Sequence, residues 1–93
     1  MTNEEKLILL KKDLQMLTSA NDEYLSALLS QAASAIQTEG IVLDSSIECE
    51  MAVVEYAAYL FRKRASTETA MPRFLRWNLN NILIKQKGRR NDI

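Results

Sequence analysis

The chain has 93 residues, 47% hydrophobic and 26% charged, with a formal charge of zero, which describes one ordinary globular domain with room for a single core. It contains no histidine and one cysteine, Cys49, so an internal disulfide framework is excluded and the commonest general base and metal ligand is missing. The longest apolar runs fall far short of the roughly 18 residues of a membrane span, and the opening MTNEEK is acidic where a signal peptide is basic, so a soluble cytosolic chain is expected.

A first amphipathic helix is predicted over about 3–16. Thr2 with Glu5 forms a capping-box pattern, and Leu7, Leu10, Leu14 and Leu17 follow at helical spacing. Ser19 to Asn21 interrupt the pattern. Asn21 is placed to cap a second helix, with Asp22 and Glu23 against its positive end. That helix carries Leu25, Leu28, Leu29, Ala32 and Ile36 on one face, and Gly40 is placed to end it. Ala27, Ala32, Ala33 and Ala35 permit close approach by a neighbour.

Ile41 to Leu43 make a short apolar connector, too brief to read as a strand. Ser45 with Glu48 is a second capping-box pattern and opens a helix over about 47–64. Ile47, Met51, Val54, Ala58 and Phe61 line one of its faces. Cys49, Val53, Tyr56 and Leu60 line another. The polar strip between them is Glu48, Glu55, Tyr59 and Arg62, with Glu50 set apart. A helix apolar on two sides is surrounded by other elements, so this one is the expected hub.

Ala65 to Ala70 read as a loop. Pro72 suits a first helical turn, and a fourth helix follows over about 72–86 with Phe74, Leu75, Leu79, Ile82 and Leu83 on its apolar face. Trp77 lies to the side, either in the core, the favoured reading, or as an interface anchor. Gly88 is expected to end the helix and residues 89–93 to fray. The predicted fold is therefore all-α, a small single-domain bundle of about four helices around a central helix.

The zero net charge conceals a division. Residues 1–50 hold nine acids and three bases, a charge of −6, and residues 51–93 hold nine bases and three acids, a charge of +6. Such polarity fits an acidic surface meeting a basic one, or a basic half that meets nucleic acid. Arg62, Lys63 and Arg64 close the hub helix, where cations complement the negative dipole end, and so do Lys85 and Lys87 on the fourth helix. Arg73 and Arg76 lie instead in the first turns of that helix, against its positive end. Something must offset them, either phosphate or a partner on one hand, or an intramolecular acid on the other.

Little catalytic chemistry is available. Two isolated glycines, Gly40 and Gly88, do not make a phosphate-cradling loop. Cys49 lies on an apolar face and reads as core. Ser45 and Ser46 read as caps, and Glu48 and Glu55 are two turns apart, so no enzyme, metal or cofactor is expected.

The segments VEYAAYLFRKR (Val54–Arg64) and MPRFLRWNLNNILI (Met71–Ile84), joined by a short loop, resemble the C-terminal half of the head–tail connector proteins of long-tailed double-stranded DNA phages. These are also called head-completion or neck proteins. NDEYLSALLSQAASAI (Asn21–Ile36) and EGIVLD (Glu39–Asp44) agree with the N-terminal half of that family in layout, so the resemblance spans nearly the whole chain. It implies a virion structural protein, often prophage-encoded, assembled in the host cytoplasm and located in the virion neck. Such a protein forms a ring, typically dodecameric, beneath the portal protein, extends the DNA channel and docks a further neck or tail-completion protein. Non-specific contact with packaged DNA is implied as well. Arg73 and Arg76 are the first candidates for a partner or DNA contact, followed by Arg62, Lys63 and Arg64. The alternatives are a small helical DNA-binding regulator with the fourth helix as its reader, or a generic helical adaptor without nucleic acid.

Overall fold

The computed structural model describes residues 1–16, 18–66 and 68–91, with side chains to Gly88. Four helices follow in order: α1 (Asn3–Asp13), α2 (Asp22–Thr38), α3 (Ile47–Ala65) and α4 (Arg73–Asn91). The fold is all-α, and α3 is its hub: it packs against each of the other three, while α1 and α2 also pack on one another. The molecule measures 48 × 31 × 18 Å. Its thinnest dimension is about two helix diameters.

The capping box at Thr2 forms as predicted: the Glu5 N–H donates to Thr2 Oγ1 at 3.1 Å and the Thr2 N–H donates to the Glu5 carboxylate at 3.0 Å. α1 is shorter than its apolar spacing predicts. It stops at Asp13 because Gln15 adopts φ 58°, and the chain closes with Gln15 N–H to Lys12 O at 3.1 Å and Met16 N–H to Lys11 O at 2.8 Å. This pair of bonds is a Schellman motif, with glutamine in the left-handed position that glycine usually fills. Leu10 is fully buried, Leu7, Leu14 and Met16 are partly covered, and Leu17 lies outside the described residues.

Asn21 stands at the start of α2 as expected, yet its side chain makes no capping hydrogen bond. The first-turn acid Asp22 instead lies 3.0 Å from Lys11 Nζ, joining α1 to α2. All five residues of the predicted α2 face are buried. Gly40 ends the helix with φ 100°, a conformation that L side chains rarely adopt.

The 41–46 connector forms no strand. Its backbone at Val42 is held by one side chain, Gln86, which accepts from the Val42 N–H at 2.8 Å and donates to the Val42 carbonyl at 2.7 Å. α3 is capped one residue later than predicted. Ser46, not Ser45, occupies the cap: its Oγ accepts from the Cys49 N–H at 3.3 Å, and its own N–H donates to Asp44 Oδ1 at 2.9 Å. That Asx turn fixes the approach to the helix.

Within α3 the faces differ from the prediction at three places. Tyr59, expected on the polar strip, is only 9% exposed and packs edge-on against Tyr56, ring centroids 5.9 Å apart. Glu50 is also buried, with both carboxylate oxygens 2.8 Å from the Met1 ammonium. Ile47 is exposed instead. A hub with three neighbours buries more of its circumference than two stripes. Ile47 and Glu48 at its start lie open beside α4, and its last turn, Arg62 to Ala65, is exposed as well.

α4 begins at Arg73, with the Pro72 carbonyl accepting the first helical bond from the Arg76 N–H at 3.1 Å. It does not stop at Gly88 but continues to Asn91. A glycine in ordinary helical conformation costs about 1 kcal/mol relative to alanine. It terminates a helix only when the backbone turns left-handed. Leu75, Leu79 and Ile82 are buried as predicted. Burying each is worth about 1.5–3 kcal/mol, so they are the main attachment of α4 to the bundle. Phe74, assigned to the core by its spacing, and Trp77, for which core was favoured, are both outside it, 65% and 61% exposed.

Candidate interaction surface

The predicted contact residues do not gather into one basic patch. Arg62 Nη2 lies 3.1 Å from Asp13 Oδ2 and also donates to the Asp13 carbonyl at 3.4 Å. Lys63 sits over the Tyr59 ring, 5.7 Å from its centroid, and Arg64 over the Tyr24 ring at 4.6 Å. Arg76 makes a forked ion pair with Glu39, using both terminal nitrogens and both carboxylate oxygens. The hydrogen-bonded carboxylate raises the already high pKa of this guanidinium. Arg64 and Arg76 thus meet residues 15 apart along α2, about 22 Å of helix.

Of the two explanations open for Arg76, the intramolecular one holds in this structure. The −6/+6 division is partly consumed inside the molecule, since Asp13 and Glu39 from the acidic half receive Arg62 and Arg76 from the basic half. Arg73 is different. It is exposed and has no ion pair among the described residues, and Lys85 and Lys87 share that state. α4 contains no Asp or Glu along Arg73–Asn91. Its outer side therefore carries uncompensated positive charge.

Beside those cations lies an apolar surface. A groove of about 400 Å³ runs between α3 and α4, with Ile47, Met51 and Glu55 on one wall and Trp77, Asn78 and Ile84 on the other. Ile47 and Ile84 are each 67% exposed. Trp77 stacks on Phe74 with centroids 6.1 Å apart and planes 27° from parallel, extending the apolar rim toward Arg73. Burial raises the pKa of the Glu55 carboxyl in this groove, and a hydrogen bond from the Asn78 side chain acts in the opposite direction. Glu48 and Lys85 stand at the end nearest Ile47.

This groove is absent from the sequence-based expectation, although a signal for it exists. α4 has two apolar rows. Leu75, Leu79 and Ile82 form one, and Phe74, Trp77 and Ile84 form a second beside it, interrupted by Asn81. α4 packs mainly on one helix, α3, so only one row is covered. The second is left for solvent or a partner, and contiguous exposed apolar surface of this kind marks interaction sites.

No protein-family model, no curated protein and no solved structure matches the chain.

Among the described residues no three His, Cys, Asp or Glu side chains gather closely enough to hold a metal ion. The Cys49 thiol is buried and lies 3.9 Å from the Val42 carbonyl. Among the same residues no helix is long and apolar enough to cross a membrane. The surface carries an apolar groove, a stacked aromatic pair and a basic, acid-free helix face.

Proposed function

We propose that this chain is a structural protein of a phage neck, a head–tail connector that assembles as a ring beneath the portal protein and docks a further neck or tail-completion protein. The observation that carries the reading is the uncovered second apolar row of α4 beside Ile47 and Met51 of α3. A chain of 93 residues has a single modest core, and leaving Phe74, Trp77 and Ile84 in water makes sense when another subunit covers them. The resemblance of Val54–Arg64 and Met71–Ile84 to the connector family supplies the biological setting: a virion neck, assembled in the host cytoplasm from a phage or prophage gene.

In this reading the DNA channel is served by Arg73 and Lys87, cations that neither pair within the described residues nor line the groove, through sequence-independent phosphate attraction. Arg62 and Arg76 act within the subunit. A generic adaptor without nucleic acid is the second reading, and the engagement of Arg62, Lys63, Arg64 and Arg76 inside the molecule favours it. A regulator that reads bases through α4 loses Arg76, which Glu39 occupies.

The deciding experiment mixes the purified chain with portal rings and images the product by electron microscopy. Density added as a ring on the tail-facing side of the portal supports the connector. Bare portals at saturating chain concentration would remove it, and the adaptor would then stand.

A further inference from the structure

The occupant of the α3/α4 groove can be read from the charges at its two ends. Covering a half-buried carboxylate without supplying a cation is costly, so whatever lies over Glu55 brings a positive group. The opposite end holds Lys85 and Glu48 together, so an incoming acid is matched only on the Lys85 side. Between them, Ile47, Met51, Trp77 and Ile84 ask for an apolar side chain. Glu48 and Glu55 are seven residues apart on α3, so the two ends are separated by about 10.5 Å of helix.

One helix of this chain shows that order on its outside. Glu4, Ile8 and Lys12 stand one turn apart on α1, all exposed, and none has an ion pair among the described residues. Ile8 is 53% exposed, a large apolar side chain on the outer face of a helix whose inner face holds Leu10. Glu4 and Lys12 are eight residues apart, about 12 Å of helix, close to the length of the groove. α1 packs on α2 and α3, while the groove opens between α3 and α4. The two surfaces are therefore separate parts of one molecule.

We propose that the groove receives the outer row of α1 from a second copy of the chain, with Ile8 against the apolar walls, Lys12 beside Glu55 and Glu4 beside Lys85. This deepens the ring-forming reading above and rests on it. The contact is heterologous, groove to helix, so each subunit offers one surface to the copy before it and the other to the copy after it. Repetition of such a contact gives a closed ring when the rotation permits and an open filament otherwise.

The test is sedimentation velocity over a concentration series, combined with carbodiimide cross-linking of a mixture of ordinary and nitrogen-15-labelled chain. The expected result is concentration-dependent association and cross-links from Lys12 to Glu55 between labelled and unlabelled chains. Ile8→Glu and Trp77→Ala, both at exposed positions and checked for folding by circular dichroism, each weaken association by about tenfold or more. Lys12→Glu weakens it too, and adding Glu55→Lys to the same chain restores it. A wild-type chain that stays monomeric to about 1 mM, or association indifferent to all these substitutions, overturns the proposal. Portal binding is scored separately: a strict monomer that still binds portal rings keeps the connector reading and loses this interface. Self-association through the groove without portal binding does the reverse.

Discussion

Arg76 and Glu39 are joined by a forked ion pair that ties the first turns of α4 to the C-terminal end of α2. The pair explains how a cation persists at the positive end of a helix dipole. Arg73, one turn earlier, has no such partner. Although both arginines raise the same question in the sequence, the structure separates their roles. Both members of the pair are partly exposed, which limits its worth to about 1 kcal/mol.

The two arginines should therefore respond in opposite directions to the same substitution. Arg76→Glu is expected to lower stability by at least about 1 kcal/mol, since it removes the pair and sets two carboxylates together. Arg73→Glu should raise stability by about 0.3–1 kcal/mol, because a negative charge suits that helix end. Urea melts of the two variants beside the wild type decide it. A loss of stability in Arg73→Glu comparable to that in Arg76→Glu would show that Arg73 holds an intramolecular contact after all.

The start of the hub helix offers a second test. Ser46→Ala should cost about 1 kcal/mol by exposing the Cys49 N–H that its hydroxyl now caps. Ser45→Ala should change the melting midpoint by little, since Ser45 is exposed and outside the cap. Equal losses from both substitutions would contradict the cap assignment.

Most of the fold was legible from spacing alone: four helices, their order, the α2 face and the central place of α3. The misses share one cause. Spacing reveals which residues are apolar and on which side, but the number of neighbours decides how much of each side is covered. Three neighbours bury Tyr59 and Glu50 on α3, and one main neighbour leaves Phe74 and Trp77 of α4 outside. Backbone turns were equally hidden. Gln15 carries no mark of a left-handed residue, and Ser45 meets the capping-box pattern with Glu48 whereas Ser46, the actual cap, has Cys49 three residues on. Of the candidate contact residues, Arg73 is the one left free by the fold. Arg62 and Arg76 have partners remote in sequence, which no local pattern reveals.

Glycine substitutions separate the two helix ends that look alike in the sequence. Gly88→Ala should raise stability by about 0.5–1 kcal/mol, because Gly88 lies within α4 and an added methyl meets nothing within 4 Å. Gly40→Ala should lower it by about 1–2 kcal/mol. There an added Cβ would stand 3.7 Å from Leu83, an ordinary contact, so the cost comes from φ 100°. Thermal unfolding of both variants checks the pair. A stabilised Gly40→Ala would mean that the α2 terminus relaxes out of its left-handed turn.

Two glutamates give opposite pH signatures, and substitution isolates each. Burial raises the folded pKa of Glu55 above its unfolded value, so its neutral form favours folding. That contribution is fully present below the unfolded pKa, near 4.5, and is lost as pH rises through the folded value. Glu5 runs the other way. Its hydrogen bonds with Thr2 lower the folded pKa, so its contribution is present above the unfolded value and is lost as pH falls. Glu55→Gln should stabilise the protein at pH 7 by no more than about 0.5 kcal/mol and remove part of the decline in stability above pH 4.5. Glu5→Gln should remove part of the rise over the acidic range below it. Urea denaturation midpoints measured from pH 3 to pH 8 for the wild type and both variants compare these slopes directly. Should Glu55→Gln destabilise the chain at pH 7, the charged carboxylate would be serving the fold, and the groove would have no need of a cation from its partner.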